Sequence, residues 1–240
     1  MVSNKSDLVA PKLEDACLLS QTADSEDTIA VCNLAAKYNI GGVVCSLSDV
    51  PPCKELLTDT PVKVIAVVSF PYGFDNIKTK VAGAANAIYE GAHAVDFVIN
   101  IGALMDSNFQ YLKDEFFELG QLPIETRAII ELSVLSPTNL KLVCELLEQS
   151  PIDYIKTCTG KVSDDLKISL DEKIKKVGLI RKWAPNKAIK LSGGVKTLKE
   201  ARRVLSSGVS IIGTSSTFSI AQEELDELAK NGELNDEDKK

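Results

Sequence analysis

Three charged residues stand inside otherwise apolar, β-branched runs. Asp96 lies in Ala-Val-Asp-Phe-Val-Ile-Asn-Ile-Gly (94–102), Lys156 in Asp-Tyr-Ile-Lys-Thr-Cys-Thr-Gly-Lys (153–161), and Lys190 in Ala-Ile-Lys-Leu-Ser-Gly-Gly-Val (188–195). A charge in such a run is costly unless it is paired or put to use. A single lysine of this kind can simply point outward at a helix. Three such residues in the fourth, sixth and seventh strand candidates point instead to a shared polar cavity. Neighbouring strands lie about 4.8 Å apart, so Lys156 and Lys190 would face the same space. A second ammonium close by disfavours protonation of the first. An unperturbed lysine is only about 0.04% neutral at pH 7, and bringing its pKa near 7 changes the ionisation free energy by about 4.6 kcal/mol. The chemistry this prepares is attack of an amine on a carbonyl, a Schiff base, with Asp96 moving protons directly or through water.

Two further segments suit an anion. Ser192-Gly193-Gly194-Val195 follows the seventh strand candidate, and Gly213-Thr214-Ser215-Ser216 follows the eighth and opens the last helix. Backbone N–H groups at small residues and helix starts bind phosphate, and the loops after strands seven and eight are a common phosphate site in one fold, the (β/α)₈ barrel. Lys161 and Lys196 either add positive charge there or are surface lysines.

The elements that must position these groups alternate in type. Strand candidates are Lys12–Cys17, Gly42–Cys45, Val62–Val68, Ala94–Ile99, Thr126–Leu132, Asp153–Thr157, Ala188–Leu191 and Ser210–Gly213. Amphipathic segments between them include Thr28–Tyr38, Ile77–Tyr89, Asn139–Glu148, Asp171–Trp183 and Leu198–Leu205. Eight strands alternating with helices in 240 residues predict an α/β chain folded as a single (β/α)₈ TIM barrel over residues 1–240, ending in a short acidic tail at 235–240. The alternative is a doubly wound open sheet, which usually carries G-x-G-x-x-G after its first strand; that string is absent.

Composition narrows the rest. A net charge of −7 and a pI of about 4.9 argue against a nucleic-acid binder. There is no signal-peptide pattern and no apolar run long enough to span a membrane. Six cysteines, with no C-x-x-C pair, read as reduced thiols in a cytoplasmic protein. The one histidine, His93, is a poor basis for a Ser/His/Asp triad or a zinc site and reads as structural or exposed.

The strings around Lys156, Lys190 and Asp96, together with Val67-Val68-Ser69-Phe70-Pro71-Tyr72-Gly73 and Gly213-Thr214-Ser215-Ser216, resemble the deoxyribose-phosphate aldolase family, in order through nearly all of the chain. The resemblance implies reversible cleavage of 2-deoxy-D-ribose 5-phosphate to D-glyceraldehyde 3-phosphate and acetaldehyde. It implies Lys156 as the Schiff-base lysine, Lys190 as the lysine that lowers its pKa, Asp96 as general acid/base, and no metal or organic cofactor. The expected substrate and phosphate contacts are Gly160, Lys161, Gly193, Gly194, Val195, Gly213, Ser215 and Ser216, with Asp15 and Cys45. Asp15 is either a hydroxyl contact or a structural acid, Cys45 either pocket-lining or core, and Glu131 either pairs with a cavity lysine or does not. The expected partner is a small sugar phosphate, with no nucleic acid or membrane, in a homo-oligomer of two or four copies.

Three strings depart from the family. Where it commonly has Asp-His-Thr-Leu-Leu-Lys-Pro, this chain has Asp15-Ala16-Cys17-Leu18-Leu19-Ser20-Gln21; where it has Val-Cys-Val-Asn-Pro, this chain has Val44-Cys45-Ser46-Leu47-Ser48; and Glu131 is followed by Leu132 rather than Thr. The competing readings are a class I aldolase acting on a phosphorylated ketose and a sugar-phosphate-binding protein without turnover.

Overall fold

Short apolar strands buried on both faces, each followed by a helix, have one closed solution, and the chain adopts it. The computed structural model describes residues 8–232. Eight parallel strands, β1 (Leu13–Asp15), β2 (Gly42–Cys45), β3 (Lys63–Val68), β4 (Ala94–Val98), β5 (Glu125–Ile129), β6 (Tyr154–Lys156), β7 (Ala188–Ser192) and β8 (Ile211–Thr214), follow chain order around a closed barrel. Closure is the pairing of β1 with both β2 and β8, which rules out the open sheet. The helices are α1 (Ser25–Tyr38), α2 (Val50–Leu56), α3 (Ile77–Tyr89), α4 (Ile101–Met105), α5 (Phe109–Gly120), α6 (Pro137–Glu148), α7 (Leu170–Trp183), α8 (Leu198–Ser206) and α9 (Thr217–Lys230). Asp24, Asn76, Ser136, Ser169 and Thr197 cap α1, α3, α6, α7 and α8 by accepting first-turn N–H groups. Each such cap is worth about 1 kcal/mol.

Side-chain alternation along each strand divides the interior. Ile155, Ile189, Leu191, Phe97 and Ile212 belong to the main core, between barrel and helices. Val44, Ile65, Val67 and Ala94, with Leu19 and Phe70, form a separate apolar cluster. Residues of the opposite parity to the outer core, Asp96 on β4, Lys156 on β6 and Lys190 on β7, therefore share the barrel interior.

Two strand limits differ from the sequence reading by more than one residue. The first strand, expected over Lys12–Cys17, is only Leu13–Asp15, because Pro11 and Lys12 lie in a preceding turn and Cys17 opens another, its N–H donating to Asp15 Oδ1 at 2.8 Å. The fifth, expected over Thr126–Leu132, ends at Ile129; Glu131 turns out of the strand in a left-handed conformation (φ 46°, ψ 67°). His93 sits at the opposite end of the barrel from the lysines, before β4, where its Nδ1 accepts the Val64 N–H at 2.9 Å, a structural role. The tail at 235–240 lies outside the described residues. Among the described residues, no helix is long and apolar enough to cross a membrane.

Candidate active site

The register places Lys156 directly opposite Lys190, and Asp96 opposite Arg127. Asp96 Oδ2 accepts from Lys156 Nζ and Lys190 Nζ, each at 2.7 Å. Lys190 also pairs with Glu14 of β1. Arg127 Nη1 donates to both oxygens of Glu14, at 2.8 and 2.7 Å, and lies 3.5 Å from Asp96 Oδ1. All five residues are at most 3% exposed, so bulk water screens none of them fully. Three cations face two carboxylates. Arg127 is also paired with Glu125, its Nε donating to Glu125 Oε1 at 2.8 Å, so the strain left at the centre is that of two ammonium groups close together in a desolvated place, and loss of one proton from a lysine relieves it.

The direction of each shift follows. Burial disfavours the charged form of Lys156; Asp96 opposes this and Lys190 reinforces it, and the net result is a Lys156 pKa below the ordinary lysine value. Burial also works against ionised Asp96, but Lys156, Lys190 and Arg127 outweigh it and hold the carboxyl well below the usual carboxylate range. Glu14 is lowered on the same logic, burial being overcome by Lys190 and Arg127.

Above the two lysines opens a pocket of about 450 Å³ at the C-terminal end of the strands. Val44 and Leu19 give it apolar wall; Thr159, Gly160 and Lys161 come from the loop after β6, Ser192 and Gly193 from that after β7, and Gly213, Thr214 and Ser215 from β8 and its loop. Gly213 is required by close approach: a Cβ there would stand 2.8 Å from Ser192 Oγ and 3.4 Å from Lys190 Cε. Gly193 and Gly194 hold φ of 78° and 91°, which favours glycine over any residue with a side chain. Ala16, Cys17, Leu19 and Ser20 also line the pocket, so the altered N-terminal string forms part of its wall. Burial and the neighbouring Asp15 push the Cys17 thiol up to about 12, leaving it protonated and a poor nucleophile.

Of the residues singled out from sequence, Lys156, Lys190, Gly160, Lys161, Gly193, Gly213 and Ser215 line this pocket, with Asp96 buried beneath the lysines. Others lie outside the lining. Cys45 faces the outer core beside Cys53, because alternation along β2 turns Val44 inward. Asp15 is buried, its carboxylate engaged by Cys17. Val195 packs in the outer core, Gly194 is exposed beyond the rim, and Lys196 is exposed with its N–H on Glu200. Two N–H groups expected to meet an anion are already used: Gly193 donates to Gly213 O at 3.0 Å, and Ser216 to Thr214 Oγ1 at 3.0 Å. Among the described residues Glu131 pairs with no lysine; its Oε2 accepts the N–H and hydroxyl of Thr159, at 2.9 and 2.5 Å, and so fixes the loop after β6.

Three residues of the site were not anticipated. Arg127 carries the same signal as the lysines, a charge inside an apolar run. Glu14 stands in a three-residue strand with no apolar run around it. Lys173 of α7 is buried behind the loop after β7, donating to Ser192 O and Gly193 O at 2.9 Å each.

No family model matches the chain. It is 35% identical to the deoxyribose-phosphate aldolase of Caldicellulosiruptor saccharolyticus over 219 residues, covering 89% of this chain and 97% of that one. It is 34% identical to that of Treponema denticola over 214 residues, covering 87% and 96%. Among solved structures, one described as QR15, an aldolase, superposes with a TM-score of 0.84 at 26% identity, covering 92% of this chain and 98% of that one. The deoxyribose phosphate aldolase of Aeropyrum pernix shares the fold, with a TM-score of 0.78 at 22% identity and 89% of each chain covered. With relatives above 30% identity matched over nearly their whole length, the chain belongs to the deoxyribose-phosphate aldolase family of lyases.

Proposed function

We propose that this chain cleaves 2-deoxy-D-ribose 5-phosphate reversibly to D-glyceraldehyde 3-phosphate and acetaldehyde through a Schiff base on Lys156. The observation that carries the reading is Lys156 Nζ at the pocket floor, 2.7 Å from Asp96 Oδ2, with a second lysine on that same oxygen. The neutral amine adds to the C1 aldehyde of the open-chain sugar, and loss of water gives the protonated imine. A base takes the C3 hydroxyl proton; the C2–C3 electron pair flows to the iminium nitrogen; the aldehyde of glyceraldehyde 3-phosphate leaves. The enamine is protonated at C2, and water returns acetaldehyde and free Lys156. Asp96 serves these proton transfers directly or through water. The phosphate is placed among Gly193, Ser215 and the start of α9, where first-turn N–H groups and the positive helix end favour an anion.

The test is reduction with borohydride in the presence of acetaldehyde, with mass mapping of the product. An ethyl group on Lys156 supports the reading, and its absence overturns it. Dihydroxyacetone phosphate in the same assay separates a ketose aldolase by its donor. We place the protein in the cytoplasm, consistent with cysteine spacing that favours free thiols, and expect two or four copies per assembly. The Aeropyrum pernix relative is described as a tetramer, and light scattering measures the state here.

A further inference from the structure

Asp96 does not tell the two lysines apart, since its Oδ2 lies 2.7 Å from each Nζ. Burial separates them little, at 3% exposure for Lys156 and 0% for Lys190. Glu14 does distinguish them: it forms an ion pair with Lys190, whereas the ion pair of Lys156 is with Asp96. We propose that Glu14 is a positioning residue that decides which amine is the nucleophile, holding Lys190 as the ammonium and leaving Lys156 as the free amine. The inference rests on the Schiff-base reading above.

The charged groups facing the pair are Glu14 from β1, Asp96 from β4 and Arg127 from β5; β2, β3 and β8 present Val44, Val67 and Gly213. Arg127 is balanced in part by Glu125, and of two neighbouring ammonium groups the one with fewer carboxylate partners gives up its proton more readily. Lys190 has two such partners and Lys156 one. Arg127 stays protonated whatever the pH of the assay, and its bidentate hold on Glu14 keeps that carboxylate ionised and aimed at Lys190. Without Glu14, Lys156 and Lys190 would compete on nearly equal terms for the proton shared through Asp96. Both line the pocket, Lys190 with no exposed surface, so its labelling is read in a Lys156→Ala background, where removal of the Lys156 side chain leaves space beside it.

The experiment uses acetaldehyde and borohydride on the whole chain, with the adduct mapped by mass. Wild type should carry it on Lys156; no adduct at all means failure of the Schiff-base reading rather than of the Glu14 assignment, and an adduct mainly on Lys190 overturns both. In Lys156→Ala, Lys190 should stay essentially unlabelled. In Lys156→Ala/Glu14→Gln, Lys190 labelling should rise about tenfold or more, the effect of a shift of one unit in ionisation. Lys156→Ala/Glu14→Asp, which keeps the charge, should bring it back toward the single variant, a rescue that a merely structural role for Glu14 does not predict. Equal Lys190 labelling with and without Glu14→Gln overturns the proposal. Should the Glu14→Gln chain fail to fold by circular dichroism, wild type is labelled across roughly pH 6–10. Lys156 labelling ahead of Lys190 then supports the assignment, and the two rising together overturns it.

Discussion

Lys156 and Lys190 are register partners on adjacent strands, and both ammonium nitrogens end 2.7 Å from one oxygen, Oδ2 of Asp96. With both nitrogens on one oxygen, the charge of Lys190 lowers the Lys156 pKa while that of Asp96 raises it. On the proposed mechanism this coupling, rather than either residue alone, is what favours the neutral amine on Lys156, whose pKa lies below the ordinary lysine value.

Lys156→Arg keeps a cation of similar reach beside Asp96 but cannot become a neutral amine. Turnover should fall by roughly 10³-fold or more, the scale on which loss of a covalent nucleophile acts. The check is aldehyde release in a coupled assay, with circular dichroism to establish folding. Near-normal turnover in the folded variant would sink the proposed mechanism.

The pH dependence has a definite sign. Lys156 attacks only when neutral, so kcat/KM should rise as pH increases through its lowered pKa and reach a plateau above it. Asp96 raises that pKa and Lys190 lowers it. Asp96→Asn should therefore move the rising limb to lower pH while cutting kcat by about 10²-fold or more through loss of the proton carrier. Lys190→Met should move the same limb to higher pH, by about one unit or more for a removed neighbouring charge. Profiles of the two variants that shift in the same direction would contradict the electrostatic account of the site.

Much of this was legible from residue types alone, and the parts that were not share a cause. Asp96, Lys156 and Lys190 stood out because each interrupts an apolar strand, and Arg127 could have been found by the same rule. Glu14 could not, since β1 has three residues and its partner Arg127 lies 113 positions away. Cys45 and Val44 exchange roles by strand parity, which a strand buried on both faces conceals. Glu131 was read as strand because its neighbours are apolar. Its left-handed turn is accompanied by contacts with Thr159, 28 residues on, which no local pattern announces.

Chelation should leave activity intact. The chain has one histidine, and among the described residues no group of three or more His, Cys, Asp or Glu side chains could hold a metal ion. A divalent ion acting as a Lewis acid would need three or so such ligands. Extended dialysis against EDTA followed by the aldehyde-release assay checks this. Activity lost on dialysis and restored by zinc would count against the Schiff-base route.

The last prediction concerns the far end of the substrate. Ser215 is exposed on the pocket rim after β8, one residue before the cap of α9, and Lys173 places a buried positive charge behind the opposing loop, donating to the carbonyls of Ser192 and Gly193. A phosphate between them would meet both the helix end and the Lys173 field. Ser215→Asp puts a carboxylate against that anion and should lower kcat/KM for the phosphorylated sugar by roughly 10–100-fold, a few kcal/mol for one repulsive contact. Lys173→Met removes the buried cation without adding a negative charge and should act in the same direction, by about tenfold. Unphosphorylated 2-deoxyribose carries no charge for either change to act on, so its kcat/KM should move far less. Because phosphate binding helps position a bond several atoms away, part of the loss should appear in kcat and not only in KM. Equal losses on both sugars would show that the substitutions disturb the loops themselves or that the phosphate binds elsewhere.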